Sequence, residues 1–177
     1  MKLCQLTFYG FFLHTCHLSD RVRKGINPST GEPVEFPIDD GLTDVERNAV
    51  RRVFAKFGVE GPEPEFEGYA LYIPGNGSVR FRGGEFEDDE MPIKGLDVEI
   101  SVKKLSDDIL RLVFEVARQG NLAFMSSIGD QVGLPSKSSG ARSKKRWPEA
   151  TIIESTDSLR SWLENQIGSR KVQGFLP

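Results

Sequence analysis

The sequence predicts an α+β fold: a mixed or antiparallel sheet of about five strands, covered by two to three helices, with an edge hairpin near the N-terminus. Two observations support this prediction. Segments with alternating apolar residues occur in runs, as antiparallel sheets require, rather than in strict alternation with helices. Three other segments, 44–57, 107–119 and 157–167, repeat apolar residues at helical spacing behind good capping residues.

The length of 177 residues is typical of one domain, which at this size folds without metals or disulfides. We expect that domain to span residues 21–168. An apolar segment precedes it at residues 1–20, and a tail that we expect to fray follows it at residues 169–177. The two cysteines, Cys4 and Cys16, are too few for a disulfide scaffold.

The composition indicates a soluble, cytoplasmic protein, because 38% of the residues are hydrophobic and 28% are charged. The formal net charge is −3. An acidic protein is poorly suited to general nucleic-acid binding, because neutralising phosphates needs an excess of Lys and Arg. The charges are nevertheless segregated along the chain, with a dense acidic run at residues 85–90 and a basic run at residues 142–146.

The most apolar stretch is residues 3–16, which is shorter than the roughly 20 residues of a transmembrane helix. Three interpretations stay open: a strand packed on the core, a non-native upstream extension, or a leader peptide. Its Phe and Tyr content favours the strand. The segment and its continuation also contain Cys4, His14, Cys16 and His17. That spacing is not typical of a zinc site, so we predict no metal and no cofactor.

Residues 21–38 are predicted to form two extended segments around the turn Asn27-Pro28-Ser29-Thr30-Gly31. Pro33 and Pro37 place these segments at an edge, because proline cannot donate to a strand ladder. The helix at 44–57 follows, with Thr43 and Glu46 as a capping box and Gly58 as its stop.

A Pro/Glu/Gly-rich linker leads to the predicted hairpin 69–73 and 78–82, which turns at Asn76-Gly77. In its second strand, Val79 and Phe81 lie on one face and Arg80 and Arg82 on the other.

The rest of the sequence predicts further strands separated by helices and by one long loop. We predict a strand at 96–102, a largely buried helix at 107–119 capped by Ser106, and a strand at 122–128. A long Gly/Ser/Lys/Arg loop at 129–149 leads to a short strand at 151–154 and a last helix at 157–167, capped by Thr156 and stopped by Gly168.

No catalytic constellation is present in the sequence. It has no G-x-S-x-G or P-loop motif, and its only histidines, His14 and His17, lie in the N-terminal segment at residues 1–20. We therefore expect a non-enzymatic protein-binding domain whose acidic run docks a basic partner, by analogy with small inhibitor or immunity proteins. The predicted partner-binding residues of this acidic segment are Glu85, Glu87, Asp88, Asp89 and Glu90. We expect no membrane partner, and the oligomeric state stays open.

The alternative is nucleic-acid binding. Residues 25–31, G-x-N-P-x-T-G, followed by Pro37, resemble the arm of HU-type bacterial DNA-binding proteins. The resemblance covers residues 21–37 and implies that Pro28 wedges into a minor groove while Arg21, Arg23 and Lys24 contact phosphates. A second basic segment could bind anions or stack a base, and it consists of Arg142, Lys144, Lys145, Arg146 and Trp147.

Overall fold

The computed structural model describes residues 3–16, 22–37, 40–63, 68–83, 86, 92–127, 131–135, 147–165 and 170–175. Within them, the chain forms an α+β structure with three helices, as the sequence predicts. No helix among these residues combines the length and the apolar character needed to cross a bilayer.

The strands are β1 (Leu3–Thr15), β2 (Val22–Ile26), β3 (Pro33–Pro37), β4 (Glu60–Glu63), β5 (Gly68–Ile73), β6 (Gly77–Arg82), β7 (Gly95–Val102), β8 (Leu122–Ser126), β9 (Val132–Leu134), β10 (Thr151–Ile152) and β11 (Arg170–Phe175). The helices are α1 (Asp44–Phe57), α2 (Asp107–Gln119) and α3 (Thr156–Asn165). In the described residues, the main sheet has the order β10-β9-β8-β1-β7-β6-β5-β4, with β11 also paired to β1. It is antiparallel except for the parallel pair β9–β10, and β2–β3 forms a separate hairpin.

β1 lies at the centre of the main sheet. One of its edges pairs with β7 from Thr7 to His14, and the other pairs first with β11 and then with β8. The side chains of Phe11 and Leu13 are fully buried, whereas Phe12 between them is 46% exposed. This alternation is that of a strand with one covered face, so the apolar stretch forms a strand in the structure.

The sheet is larger than the predicted five strands. β4 lies in the expected linker and tolerates Pro62 because it is the edge strand, where a missing N–H breaks no ladder bond. β9 falls in the predicted loop 129–149, and β11 falls in the tail that we expected to fray. The strands predicted at 122–128 and 151–154 are shorter than expected, ending at Ser126 and Ile152.

The first two helices have the predicted bounds and caps. At α1, the Glu46 N–H donates to the Thr43 hydroxyl (3.3 Å) and the Thr43 N–H donates to the Glu46 carboxylate (2.9 Å). α2 begins where the Ser106 hydroxyl accepts from the Ile109 N–H (3.4 Å). The predicted cap of α3 is wrong by one residue.

At α3, the Ser158 N–H donates to the hydroxyl of Ser155 (3.2 Å), which therefore caps the helix in place of Thr156. The predicted stop at Gly168 lies outside the described residues.

All three helices cover the same face of the main sheet, which we call the first face, and they contribute to one core there. Phe54 of α1 packs 5.1 Å from Tyr69 and 5.0 Å from Phe81, measured between ring centroids. Trp162 of α3 lies 6.0 Å from Phe11 and 5.7 Å from Phe124. Aromatic burial of this extent provides much of the free energy of folding.

The two adjacent phenylalanines of β1 test this assignment of faces. We expect Phe11→Ala to lower the free energy of unfolding by about 3–5 kcal/mol, because it leaves a cavity among fully buried rings. The control Phe12→Ala should cost about 1 kcal/mol or less, because that ring is half exposed. Urea unfolding measures both, and equal losses would contradict the register of β1.

Candidate functional site

The second face of the sheet, opposite the helices, carries a continuous row of side chains. Direct cross-strand partners connect Arg82 of β6 to Asp97 of β7, Asp97 to Phe12 of β1, Phe12 to Met125 of β8, and Met125 to Val132 of β9. We call these five residues the Phe12 row. The row places an exposed phenyl ring at its centre and charges at one end.

A second row runs beside the Phe12 row. Arg80 is the direct partner of Glu99, and Glu99 is the partner of Gly10 on β1. The missing side chain at position 10 leaves room that the Phe8 ring occupies, since an added Cβ there would lie 3.0 Å from that ring. Exposed aromatic surface continues toward the sheet edge at Tyr72, which is 40% exposed.

The charges on this face form a positive pair on β6, Arg80 and Arg82, beside a negative pair on β7, Asp97 and Glu99. Arg82 forms an ion pair with Glu99, diagonally across β6 and β7. Partial burial raises the pKa of Asp97, the negative charge of Glu99 raises it further, and Arg82 opposes both effects. The Tyr72 hydroxyl donates to the Glu63 carboxylate (3.0 Å), and desolvation followed by this hydrogen bond raises the pKa of Tyr72.

The predicted acidic segment lies in the connection between β6 and β7. Its carboxylates Glu85, Glu87, Asp88, Asp89 and Glu90 are outside the described residues, but Phe86 among them is fully buried. The Phe86 ring packs 5.3 Å from Phe54 and 5.5 Å from Tyr69, and its N–H donates to the Tyr69 hydroxyl (3.1 Å). Sequence reasoning missed this anchor, although a lone aromatic residue within a run of acids was a visible signal.

The β2–β3 hairpin carries the HU-like turn. The Ser29 N–H donates to the Asn27 side-chain oxygen (2.9 Å), and the Gly31 N–H donates to the Asn27 carbonyl (2.8 Å), so Pro28 sits in an exposed turn. Arg23 and Lys24 lie on β2, and Lys24 is the direct cross-strand partner of Glu35. The predicted phosphate contact Arg21 lies outside the described residues.

Most of the second basic segment is also outside the described residues, namely Arg142, Lys144, Lys145 and Arg146. Trp147 is described, and it packs partly buried against a small cluster of Cys16, Ala123 and Leu134. This indole therefore takes part in packing at the β8–β10 margin of the sheet.

The described residues contain no group of three or more His, Cys, Asp or Glu side chains arranged to hold a metal ion. Comparison of the chain with protein-family models, with curated proteins and with solved structures gives no significant match.

The raised pKa of Asp97 makes the stability of the protein depend on pH. Because the folded state binds this proton more readily than the unfolded chain, ionisation of Asp97 costs stability as the pH rises through its folded-state pKa. We expect Asp97→Asn to raise Tm at pH 7 by about 1–3 °C, with the gain disappearing at acidic pH, where the wild-type carboxyl is protonated in both states. Thermal scans across pH measure this gain.

The matched control for Asp97→Asn is Glu35→Gln, which changes an exposed carboxylate on the hairpin and should leave Tm within about 1 °C. A lower Tm for Asp97→Asn than for wild type at pH 7 would show that Asp97 stabilises the face through Arg82 instead.

Proposed function

We propose that this protein is a non-enzymatic binding domain that docks a basic protein through the second face of its sheet. One observation carries the proposal: the Phe12 row combines a half-exposed phenylalanine, a methionine and an arginine on a sheet face. Aromatic residues, Met and Arg are the types enriched at the centres of protein interfaces. An inhibitor or immunity protein acting in the cytoplasm on a basic enzyme is the concrete form of this proposal.

The second face is too small to form a standard interface by itself, which supports a role for the acidic segment in binding the same partner. The Phe12 row crosses five strands, which at a spacing of about 4.8 Å corresponds to a width of about 19 Å. A face of this width and of similar height offers about half of the roughly 800 Å² that a standard interface buries on each partner. A neighbouring segment must therefore contribute to a stable complex.

The acidic segment is the neighbour of the Phe12 row along the chain, and its one described residue, Phe86, packs into the core against Phe54 on the helical side of the sheet. β6 ends at Arg82 in the Phe12 row, the acidic run follows directly in the chain, and β7 then returns to the row at Asp97. The two arginines of β6 balance the two carboxylates of β7 on the face itself, so these four charges add little net field. The run of carboxylates supplies the negative potential that would steer a basic partner and speed association.

Variants of the immobilised full chain test this proposal in a pulldown from a lysate of its source. We expect the wild-type chain to capture a basic protein, and this capture should persist after nuclease treatment of the lysate. Phe12→Ala should weaken its binding at least tenfold, about 1.4 kcal/mol, because the central aromatic contact is lost. Reversal of the charge at the five carboxylates of the acidic segment should abolish capture.

The matched control is Val45→Ala, which shortens a 76% exposed apolar side chain on α1 and should leave capture unchanged. Equal retention by wild type and all variants, or an empty pulldown, would contradict the proposed face.

A second candidate function is nucleic-acid binding through the β2–β3 hairpin. The observation in its favour is the separate hairpin with Pro28 in an exposed turn, the position that the HU-like resemblance assigns to a wedge. The described hairpin carries Arg23 and Lys24 against Glu32 and Glu35, so its own charges balance. Balanced charge weakens phosphate binding, which places this candidate second. In the same pulldown, loss of all captured material after nuclease treatment would favour it.

A further inference from the structure

One asparagine attaches the turn between β5 and β6 to the connection between β7 and α2. The Asn76 side-chain amide donates from Nδ2 to the Lys104 carbonyl (3.0 Å) and accepts at Oδ1 from the Lys104 N–H (2.9 Å). The Asn76 main-chain carbonyl also accepts from the Lys103 N–H (2.8 Å). We call these hydrogen bonds the Asn76 clasp. A side-chain amide suits this position because it donates and accepts at the same time.

The residue that follows Asn76 has to be glycine. Gly77 has a φ of +133°, which L side chains rarely adopt, and a Cβ there would overlap the carbonyl oxygen of Ser101. Gly77 is also the direct cross-strand partner of both Ile73 and Val102, so its backbone lies between two strands. The fold therefore requires Asn and Gly in succession at this turn.

An asparagine followed by glycine is chemically labile. The main-chain nitrogen of the second residue can attack the side-chain amide carbon of the first, and glycine leaves that nitrogen unshielded because it has no Cβ. The nitrogen loses its proton as it bonds to Cγ, the Cγ–Nδ2 bond breaks, and ammonia leaves with that proton. Water then opens the cyclic imide at either carbonyl, which yields aspartate or isoaspartate. Asn76 is the only one of the five asparagines that precedes a glycine.

The Asn76 clasp controls access to this reaction. Ring closure moves Cγ of Asn76 onto the Gly77 nitrogen and expels Nδ2, so the side chain must first leave Lys104. The clasp lies at an exposed turn, where local opening costs less free energy than global unfolding. The rate of conversion in the folded chain is therefore the rate in the unfolded chain, reduced by the small fraction of time for which the clasp is open.

Neither product can rebuild the Asn76 clasp. Aspartate at this position places a carboxylate against the Lys104 carbonyl oxygen, which has then lost its donor. Isoaspartate inserts a methylene into the main chain between Ile73 and Gly77, which are direct partners across the turn. The exposed side chains of Lys103 and Lys104 compensate little for the new charge, because solvent screens surface ion pairs.

We propose that Asn76 is a site of spontaneous deamidation, that opening of the Asn76 clasp sets its rate, and that conversion irreversibly detaches the β5–β6 turn from the β7–α2 connection. The reaction needs only water and no enzyme, so the protein changes with age at one defined turn. The clasp residues take no part in the Phe12 row. The proposal therefore goes beyond the protein-docking function and does not depend on it.

Peptide mass mapping of the full chain tests the site and its protection. The folded protein and the same chain in concentrated urea are incubated at one pH and temperature, and the peptide that contains Asn76 is quantified over time. We expect conversion in the folded chain to be about 10- to 100-fold slower than in urea, because the clasp must open first. Aspartyl and isoaspartyl products should both appear. Asn48, which precedes an alanine, should stay unconverted over the same period.

A core variant distinguishes local opening from global unfolding. Ile153→Val removes one methyl group from a fully buried side chain on the β8–β10 side of the sheet, and it lowers global stability. Conversion of Asn76 through global unfolding would become about fivefold faster in this variant. Conversion through the Asn76 clasp should keep its rate, and this is the result that we expect.

The variant Asn76→Asp reproduces one product and tests its effect on the fold. We expect its Tm to be about 2–4 °C lower than that of the wild-type chain, because the donor to the Lys104 carbonyl is lost. The matched control is Asn48→Asp on α1, which keeps the oxygen that accepts from Arg51 and should change Tm by about 1 °C or less.

Four results would overturn the proposal. Equal rates of conversion in the folded chain and in urea would show that the Asn76 clasp gives no protection. An unmodified folded chain, after the chain in urea has converted completely, would show that the site does not react in the native state. A fivefold faster rate in Ile153→Val would assign the reaction to globally unfolded molecules. An unchanged Tm for Asn76→Asp would show that conversion does not loosen the turn.

Discussion

The pairing of β1 with β7 on one edge and with β8 and β11 on the other is the interaction on which the rest of the structure depends. In the described sheet, β1 alone joins the strands β4–β7 to the strands β8–β10. Its register also fixes both faces at once, because a slip of one residue would exchange the buried Phe11 and Leu13 for the exposed Phe12. The core and the candidate docking face are therefore two consequences of one register.

The energetic roles of the two faces differ. Burial of large apolar side chains under the helices dominates stability, whereas the partly buried cross-strand charge pairs of the second face contribute about 1 kcal/mol or less each. Arg82, Asp97 and Glu99 are thus weakly constrained by folding. A face whose charged residues contribute little to stability is available for recognition, and the half-exposed Phe12 at its centre keeps apolar surface in contact with water.

Local signals in the sequence predict the helices well and the sheet only in part. The capping box of Thr43 and Glu46 and the cap at Ser106 act within one helical turn, so α1 and α2 are found with their bounds. β1 is ambiguous because Phe11 and Phe12 are both apolar and hide the alternation. β9 spans only Val132–Leu134, too short to show a period, and it is stabilised by its neighbours.

The candidate sites depend even more on tertiary contacts. The alternation of Arg80 and Arg82 is visible in the sequence, but their pairing with Asp97 and Glu99 requires the register between β6 and β7. The burial of Phe86 requires Phe54 and Tyr69, which come from two other elements.

Native-state amide hydrogen exchange tests the central position of β1 most directly. Amides of β1 between Thr7 and His14 that donate across the sheet should exchange only through global unfolding, with the slowest rates in the protein. Amides of the β2–β3 hairpin should exchange at least about 100-fold faster, because a two-stranded hairpin is marginally stable by itself. Equally fast exchange in β1 and in the hairpin would contradict a sheet built around β1, and with it the assignment of both faces.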